Sequence, residues 1–141
     1  MFPLLLVAGG ALFWVRCIHP VLRHAEFCRN VKVELKTLAK KRPPDVTRKQ
    51  WENVVAWTWN AEGNCLAFHR NIPLEEMTRF EAELKRRLEG PVDLGTIDWI
   101  WDEIVRLTPN GQRYSDDWRP TLPERLKEFE EGNTSWGIEV D

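Results

Sequence analysis

Apolar residues dominate the start of the chain. The run Phe2–Val15 has no charged side chain, and only Arg16 and His19 are basic before the run fades at Leu22. Fourteen helical residues reach about 21 Å and 21 residues about 31 Å, against a hydrocarbon core of roughly 30 Å. Residues 1–22 are therefore predicted to form an uncleaved membrane anchor, in which the long arginine side chain snorkels to the headgroups.

Two other interpretations of this segment stay open. In one it is a cleaved secretory signal, although the basic region that opens such signals is missing because the apolar run starts at residue 2. In the other it is an amphipathic helix, either buried or lying in the membrane interface rather than crossing the bilayer. Both spanning and interfacial placements fit its length.

A second pattern follows, with apolar residues at three- and four-residue steps. It includes Leu22, Ala25, Cys28, Val31, Leu35, Leu38 and Ala39. This periodicity predicts a basic amphipathic helix, which Pro43-Pro44 ends in a linker, so that residues 23–44 form one unit. Pro20 predicts a kink or break where this helix leaves the anchor.

Residues 45–132 are predicted to form a helical domain whose boundaries are marked by capping and stop signals. Thr47 and Gln50 form a capping box that opens a helix to about Glu62, and Gly63-Asn64 is predicted to stop it. A second helix runs from Pro73 to Gly90-Pro91 with a clear apolar stripe. The members of that stripe are Leu74, Met77, Phe80, Leu84 and Leu88.

Two further helices complete the predicted domain. Asp93 or Thr96 caps the first, which buries apolar residues up to Ile104 before a turn at residues 108–111. A second capping box, Thr121-x-x-Glu124, opens a short helix that ends at Gly132. Residues 133–141 are predicted to be a C-terminal tail. Strand-like alternation is scarce, so the fold class is all-α: an anchor helix followed by a small bundle of about four to five helices.

Charge is divided sharply along the chain. Residues 16–42 hold eight bases and two acids, a net charge of +6, whereas residues 43–141 hold 12 bases and 20 acids, a net charge of −8. The positive-inside rule predicts a single-pass protein with its C-terminal domain in the cytoplasm. The acidic body makes nucleic acid an unfavourable partner. The bases predicted to contact the membrane surface are Arg16, Arg23, Arg29 and Lys32.

Eight tryptophans are the strongest departure from ordinary composition. Two pairs, Trp57/Trp59 and Trp99/Trp101, have members two residues apart, which on a helix point about 200° apart. One core does not bury both members of a pair, so one ring of each pair is predicted to be partly exposed or covered by a partner or the bilayer. The four residues are therefore predicted as a binding surface. The alternative is that their helices are buried on two sides and the rings fill the core.

Candidate catalytic groups are few. Cys65 and His69 have the spacing of two ligands or of a nucleophile and base on one helical face, but a zinc site needs two more ligands. Asp98, Asp102 and Glu103 form an acidic cluster that is also typical of a solvated helix start. The chain has no glycine-rich phosphate loop. These residues predict no metal site and no cofactor.

Two blocks resemble a group of small bacterial membrane-anchored proteins to which no activity is assigned. They are KRPPDVTRKQW at residues 41–51 and GPVDLGTIDWIWDE at residues 90–103. The resemblance covers about residues 40–120 and implies a bacterial origin. It implies no catalytic or binding residue.

The sequence thus predicts a membrane-anchored interaction or scaffold protein, with the lipid bilayer and a protein as its partners and without catalytic activity. One alternative is an accessory subunit of a larger membrane complex, whose helices would pack on the small residues 8–11. Another is a small membrane-bound enzyme that uses Cys65, His69 and the acidic cluster.

Overall fold

The computed structural model describes residues 2–118, which are helical and contain no strand. The all-α prediction is confirmed for this range. The α-helices are α1 (Phe2–Phe13), α2 (His19–Ala39), α3 (Arg48–Ala61), α4 (Leu74–Arg87), α5 (Leu94–Leu107) and α6 (Gly111–Trp118). A first π turn (Trp14–Ile18) joins α1 to α2, and a second π turn (Glu62–Leu66) follows α3.

The first three of these elements form one uninterrupted helical segment over residues 2–39. Pro20 lies in the first turn of α2, and its ring would clash with the carbonyl group of Arg16 in a regular α-helix. The first π turn contains Arg16 and widens the helix there, which relieves this conflict. Of the predicted kink or break at Pro20, the break does not occur, because the backbone passes through Pro20 in helical form.

The apolar helix is shorter than the 22-residue segment predicted from the sequence. The π turn that begins at Trp14 limits α1 to 12 residues, or about 18 Å. Among residues 2–118, no single helix combines the length and the apolar character needed to cross a bilayer.

Helix α2 is the centre of the domain. One of its faces is buried against α3, α4 and the second π turn, while α5 closes the bundle against α3 and α4. Phe27 of α2 meets Phe80 of α4 edge to face, with ring centroids 5.9 Å apart. The largest fully buried side chains are Trp51, Trp101, Phe27, Phe80, Leu35, Leu38, Leu66, Leu84, Ile97, Ile100 and Ile104.

Local capping signals are realised where they were predicted. The side chain of Thr47 accepts a hydrogen bond from the Gln50 amide at 3.2 Å, and the Gln50 side chain accepts one from the Thr47 amide at 2.9 Å. This reciprocal pair confirms the capping box of α3. Asp93, rather than Thr96, caps α5, because its carboxylate accepts from the Thr96 amide at 3.1 Å.

Stop signals were less informative. Gly63-Asn64 does not end the helical backbone, which continues as the second π turn and buries Cys65 and Leu66 in the core. Burial of these side chains offsets the weak helix propensity of glycine. Helix α6 was not predicted and starts at Gly111. The predicted helix at residues 121–132 and the tail at 133–141 lie outside the described residues.

The domain has two ends, separated by the length of α2, which is about 31 Å for 21 residues. We call residues 14–24 and 66–74 the proximal end, because residues 14–24 follow α1 directly. The two segments meet where the His24 ring donates to the Leu66 carbonyl oxygen at 2.8 Å. We call residues 39–51 and 88–92 the distal end. There the indole of Trp51 donates to the Ala39 carbonyl oxygen at 3.0 Å.

The packing predicts a large difference between two phenylalanines. Phe80→Ala should lower the free energy of unfolding by about 3–5 kcal/mol, because it removes a fully buried ring from the contact with Phe27. Phe68→Ala is the matched control and should change it by less than about 0.5 kcal/mol, because Phe68 is 78% exposed. Urea unfolding of the full chain in non-ionic detergent measures both. Equal losses would contradict this assignment of the core.

Candidate interaction sites

Helix α1 projects apolar side chains that the domain does not cover. From residue 7 to the end of α1, every side chain described is exposed, including Val7, Leu12 and Phe13. The exposure continues into the first π turn, where Trp14 and Val15 are exposed. An apolar helix of this kind is unfavourable in water, so its surface points to a bilayer or a partner as its environment.

The proximal end of the domain continues this apolar surface and adds positive charge. Phe68 is exposed on the segment between α3 and α4, Leu74 is exposed at the start of α4, and Val21 and Leu22 are exposed on α2. A cavity of about 240 Å³ lies at this end of the domain. Its walls are formed by His19, Pro20, Arg23, Arg70, Ile72, Leu74 and Met77.

The four bases predicted to contact a membrane divide into two groups. Arg16 and Arg29 are exposed. Arg23 instead donates to Glu81 of α4 at 2.7 Å and to the hydroxyl of Thr78 at 3.3 Å. The hydrogen bond with Glu81 raises the pKa of Arg23, so this base is a fixed, charged part of the α2–α4 contact.

Lys32 is also used within the domain. Its ammonium nitrogen lies 3.8 Å from a carboxylate oxygen of Glu62 and 5.4 Å from the ring centroid of Trp59. The side chain remains partly exposed. Lys32 therefore contacts a buried acid on one side and an aromatic surface on the other.

The tryptophans differ widely in exposure. Trp57, Trp59 and Trp99 are half-buried at the edge of the core. Trp99 stacks on Phe80 with ring centroids 5.5 Å apart, and the guanidinium of Arg87 lies 4.6 Å from its ring.

Trp101 does not belong to the predicted binding surface, because it is fully buried. The physical reason is that α5 packs on both α3 and α4, so two sides of this helix face the core. This placement corresponds to the alternative interpretation for Trp101, in which the ring fills the core.

A basic groove lies between α2 and α3. We use this name for the open cavity of about 400 Å³ formed by Cys28, Arg29, Lys32, Val33, Lys36 and Trp59. Three bases and a partly exposed indole line it, and Val33 is 55% exposed beside them. The groove combines positive charge with apolar contact area, which suits an acidic ligand that carries an apolar side chain.

A buried carboxylate lies at the base of this groove. Glu62 is 1% exposed, and neither of its oxygens accepts a hydrogen bond from the residues described. Burial raises the pKa of Glu62, and the attraction of Lys32 offsets this only in part.

The same environment affects the neighbouring thiol. Burial, assisted by the charge of Glu62, raises the pKa of Cys28 to about 11. The sulfur lies 3.7 Å from the Nε2 atom of His24, whose ring N–H donates to the Leu66 carbonyl oxygen. Because the thiolate is the reactive form, Cys28 is a poor nucleophile at neutral pH.

The predicted catalytic groups occupy different environments. Cys65 is fully buried, burial raises its pKa, and its carbonyl oxygen accepts a hydrogen bond from the His69 amide at 2.9 Å. Asp98 and Asp102 are exposed on α5. The Cys65 thiol is thus in the core and the carboxylates of Asp98 and Asp102 are on the surface, rather than together in one pocket.

Glu103, the third acid of the predicted cluster, joins an ion-pair network between α4 and α5. It pairs with Arg79 and accepts from Arg106 at 2.8 Å, and Glu76 binds the same two bases. This network connects the two helices. Within residues 2–118, no group of three or more histidine, cysteine or acidic side chains is arranged to hold a metal ion.

Sequence reasoning did not single out Phe68, Arg70 and Lys36. The signal for Phe68 was available, since it falls outside the apolar stripes of both neighbouring helices. The meeting of Arg70 with His19 and Arg23 of α2 around one cavity depends on tertiary structure and has no signal in the sequence.

Comparison with family models, curated proteins and solved structures gives no match to this chain. The resemblance of residues 41–51 and 90–103 to small bacterial proteins therefore stays a prediction.

A buried glutamate, Glu62, and a partly exposed one, Glu83, should respond oppositely to removal of their charge. Glu62→Gln should raise the free energy of unfolding at pH 7 by about 1 kcal/mol, because an uncharged amide is cheaper to bury than a carboxylate without hydrogen bonds. Since folding raises the pKa of Glu62, its favourable protonated form is lost as the pH rises above 4.5. The variant should therefore differ little from the wild type at pH 4.

Glu83→Gln is the matched control. Hydrogen bonds from Arg86, and also from Arg87, lower the pKa of Glu83 to about 2. Its contribution to stability is present above pH 4.5 and is lost as the pH falls towards 2. Glu83→Gln should therefore slightly lower stability at pH 7. Urea midpoints at pH 4 and pH 7 measure both variants, and a loss of stability in Glu62→Gln at pH 7 would contradict the analysis.

Proposed function

We propose that this protein is a membrane-anchored interaction protein without catalytic activity. Residues 2–22 enter the bilayer as a single pass, and the helical domain lies on the cytoplasmic side and binds a protein partner. The observation that supports this most is α1, an apolar helix with exposed side chains that leads directly into the central helix of the domain.

Transfer of α1 into lipid is favourable because about 25 cal/mol is gained for each Å² of apolar surface removed from water. With the π turn and the first residues of α2, the segment 2–22 has 21 residues and reaches about 31 Å. Arg16 and His19 then fall at its cytoplasmic edge. An arginine there extends its guanidinium to the phosphate layer while its methylene groups remain in the acyl region.

The basic groove supports binding of a protein partner. Arg29, Lys32 and Lys36 give it positive charge, while Trp59 and Val33 give it apolar area. Tryptophan and arginine are the residue types that contribute most to protein interfaces. The partner that fits this chemistry presents an acidic segment with at least one apolar side chain.

The proposal that the protein has no catalytic activity rests on the protonation of its thiols. Burial raises the pKa values of Cys28 and Cys65, which keeps both thiols protonated at neutral pH. Glu103 is neutralised by Arg79 and Arg106. Packing in the core accounts for the two thiols, and ion pairing accounts for Glu103.

Membrane insertion is tested by a charge in the middle of α1. Gly10→Glu should move the protein from the membrane fraction to the soluble fraction, because an acid at the centre of a bilayer costs about 2.5–3.5 kcal/mol, on the order of 100-fold in partition. Gly90→Glu adds the same charge at a position where an added side chain meets open space, and it should change nothing. Sedimentation after alkaline extraction measures both. Continued membrane retention of Gly10→Glu would contradict insertion of α1.

Partner binding is tested by a photo-crosslinking residue at Val33 in living cells. The wild-type groove should give a defined crosslinked protein, and Lys36→Glu should reduce its yield several-fold because it reverses a charge in the groove. Arg48→Glu, at the exposed start of α3, is the control and should leave the yield unchanged.

A crosslinking residue at Val7 separates this function from that of an accessory subunit. Gly9 and Gly10 have open space around them, so helices of a larger complex could approach closely there. Crosslinks from Val7 to another membrane protein, together with none from Val33, would contradict the proposed groove and favour the accessory subunit.

A further inference from the structure

We propose that the proximal end of the domain is a bilayer-docking surface whose cavity binds the phosphate group of an anionic phospholipid. This inference rests on the proposed membrane attachment and adds a specific ligand to it. The ligand class follows from three features: a cavity with basic walls, an apolar rim, and a position directly beside the segment that enters the membrane.

The position of the cavity is determined by α2. His19 is the first residue of α2 and Arg23 lies one turn later, so both are at the membrane edge of the helix when α1 is inserted. The segment between α3 and α4 supplies the opposite wall, where Arg70 and Ile72 face these two residues across about 240 Å³. A space of this size admits a phosphate group and leaves the acyl chains outside.

The basic walls have the chemistry of a phosphate site. Arg23 is held in place by Glu81 at 2.7 Å and by Thr78, so it needs no rearrangement to form one side of the cavity. Because Glu81 compensates its charge, most of the remaining positive charge comes from Arg70. In the described part of the chain Arg70 forms no ion pair, and its planar guanidinium suits two-point binding of phosphate oxygens.

Apolar residues flank the basic ones, and we call them the rim. Leu74, at the start of α4, lines the cavity and is 52% exposed, and Phe68, two residues before Arg70 in the chain, is 78% exposed. An exposed phenylalanine beside a base is typical of a surface whose ring enters the acyl boundary while the base stays at the headgroups. Val21 and Leu22 extend this rim along α2 towards α1.

The distal end provides the contrast. Arg48 is exposed, like Arg70, but lies at the start of α3, where Trp51 contacts the last residues of α2. The length of α2, about 31 Å, separates this end from the membrane. Because charge is screened over about 10 Å, Arg48 controls only for the change in net charge. Arg70→Lys separates general attraction, which depends on charge alone and is kept by lysine, from a phosphate site, which needs the planar guanidinium.

The test measures binding of the full chain, diluted from detergent, to vesicles of phosphatidylcholine alone and of phosphatidylcholine with phosphatidylglycerol. The wild type should bind both and prefer the anionic vesicles. Arg70→Gln should reduce that preference about fivefold, which is the effect of one near-surface base. Arg70→Lys should recover part of it, and Arg48→Gln should leave it unchanged.

Phe68→Ser should weaken binding to both kinds of vesicle, because it removes apolar area rather than charge. Circular dichroism and urea midpoints of each variant confirm that the fold is intact, as expected for three exposed positions.

Each contrary result has a distinct meaning. Equal binding of the wild type to both vesicles, equal effects of Arg70→Gln and Arg48→Gln, or full recovery of the preference in Arg70→Lys would overturn the phosphate site and leave membrane attachment standing. Failure of the wild type to bind either vesicle would overturn the proposed function itself. A dimer in detergent that Phe68→Ser dissociates would assign this surface to a second copy of the chain, and would also overturn the inference.

Discussion

The continuity of the helix from α1 into α2 is the constraint on which the rest of the structure depends. Residues 2–39 form one helical segment, whose first part is apolar on all sides and whose last part buries one face in the domain. Because this helix does not break, the orientation of α1 determines the orientation of α2 and of the domain packed on it. The proximal end, the basic groove and the distal end are successive positions along this axis.

Pro20 is compatible with that continuity only because of the π turn before it. Pro20 has no amide hydrogen to donate, and its ring needs space in the preceding turn. The π turn Trp14–Ile18 accommodates both without ending the helix. The same turn places Arg16 where the apolar surface ends. One local irregularity therefore both preserves the helix and marks the boundary between its two environments.

Features of the fold that depend on neighbouring residues were predictable from the sequence. The capping box at Thr47 and Gln50 and the cap at Asp93 are formed by hydrogen bonds over three residues, so short motifs specify them. Gly63 and Asn64 failed as a stop because burial of Leu66 one turn later outweighs local propensity. Propensity is a weak influence where the core gains a side chain.

The candidate sites were predictable only in composition. The sequence indicates that bases are concentrated around α2 and tryptophans in α3 and α5, but it does not indicate which of them pair within the domain. Arg23 and Lys32 have similar sequence surroundings to Arg29, yet the first two contact Glu81 and Glu62 from other helices while Arg29 stays exposed. Trp101 is buried because α5 has two neighbours, a property of the assembled bundle.

Lys32 connects the basic groove to the buried acid beneath it. Its ammonium group lies between the ring of Trp59 and the carboxylate of Glu62, so an acidic ligand in the groove competes with Glu62 for the same charge. Because burial already raises the pKa of Glu62, loss of that partner favours its protonation. Under the proposed function, occupation of the groove by an acidic ligand and proton uptake at Glu62 are then linked.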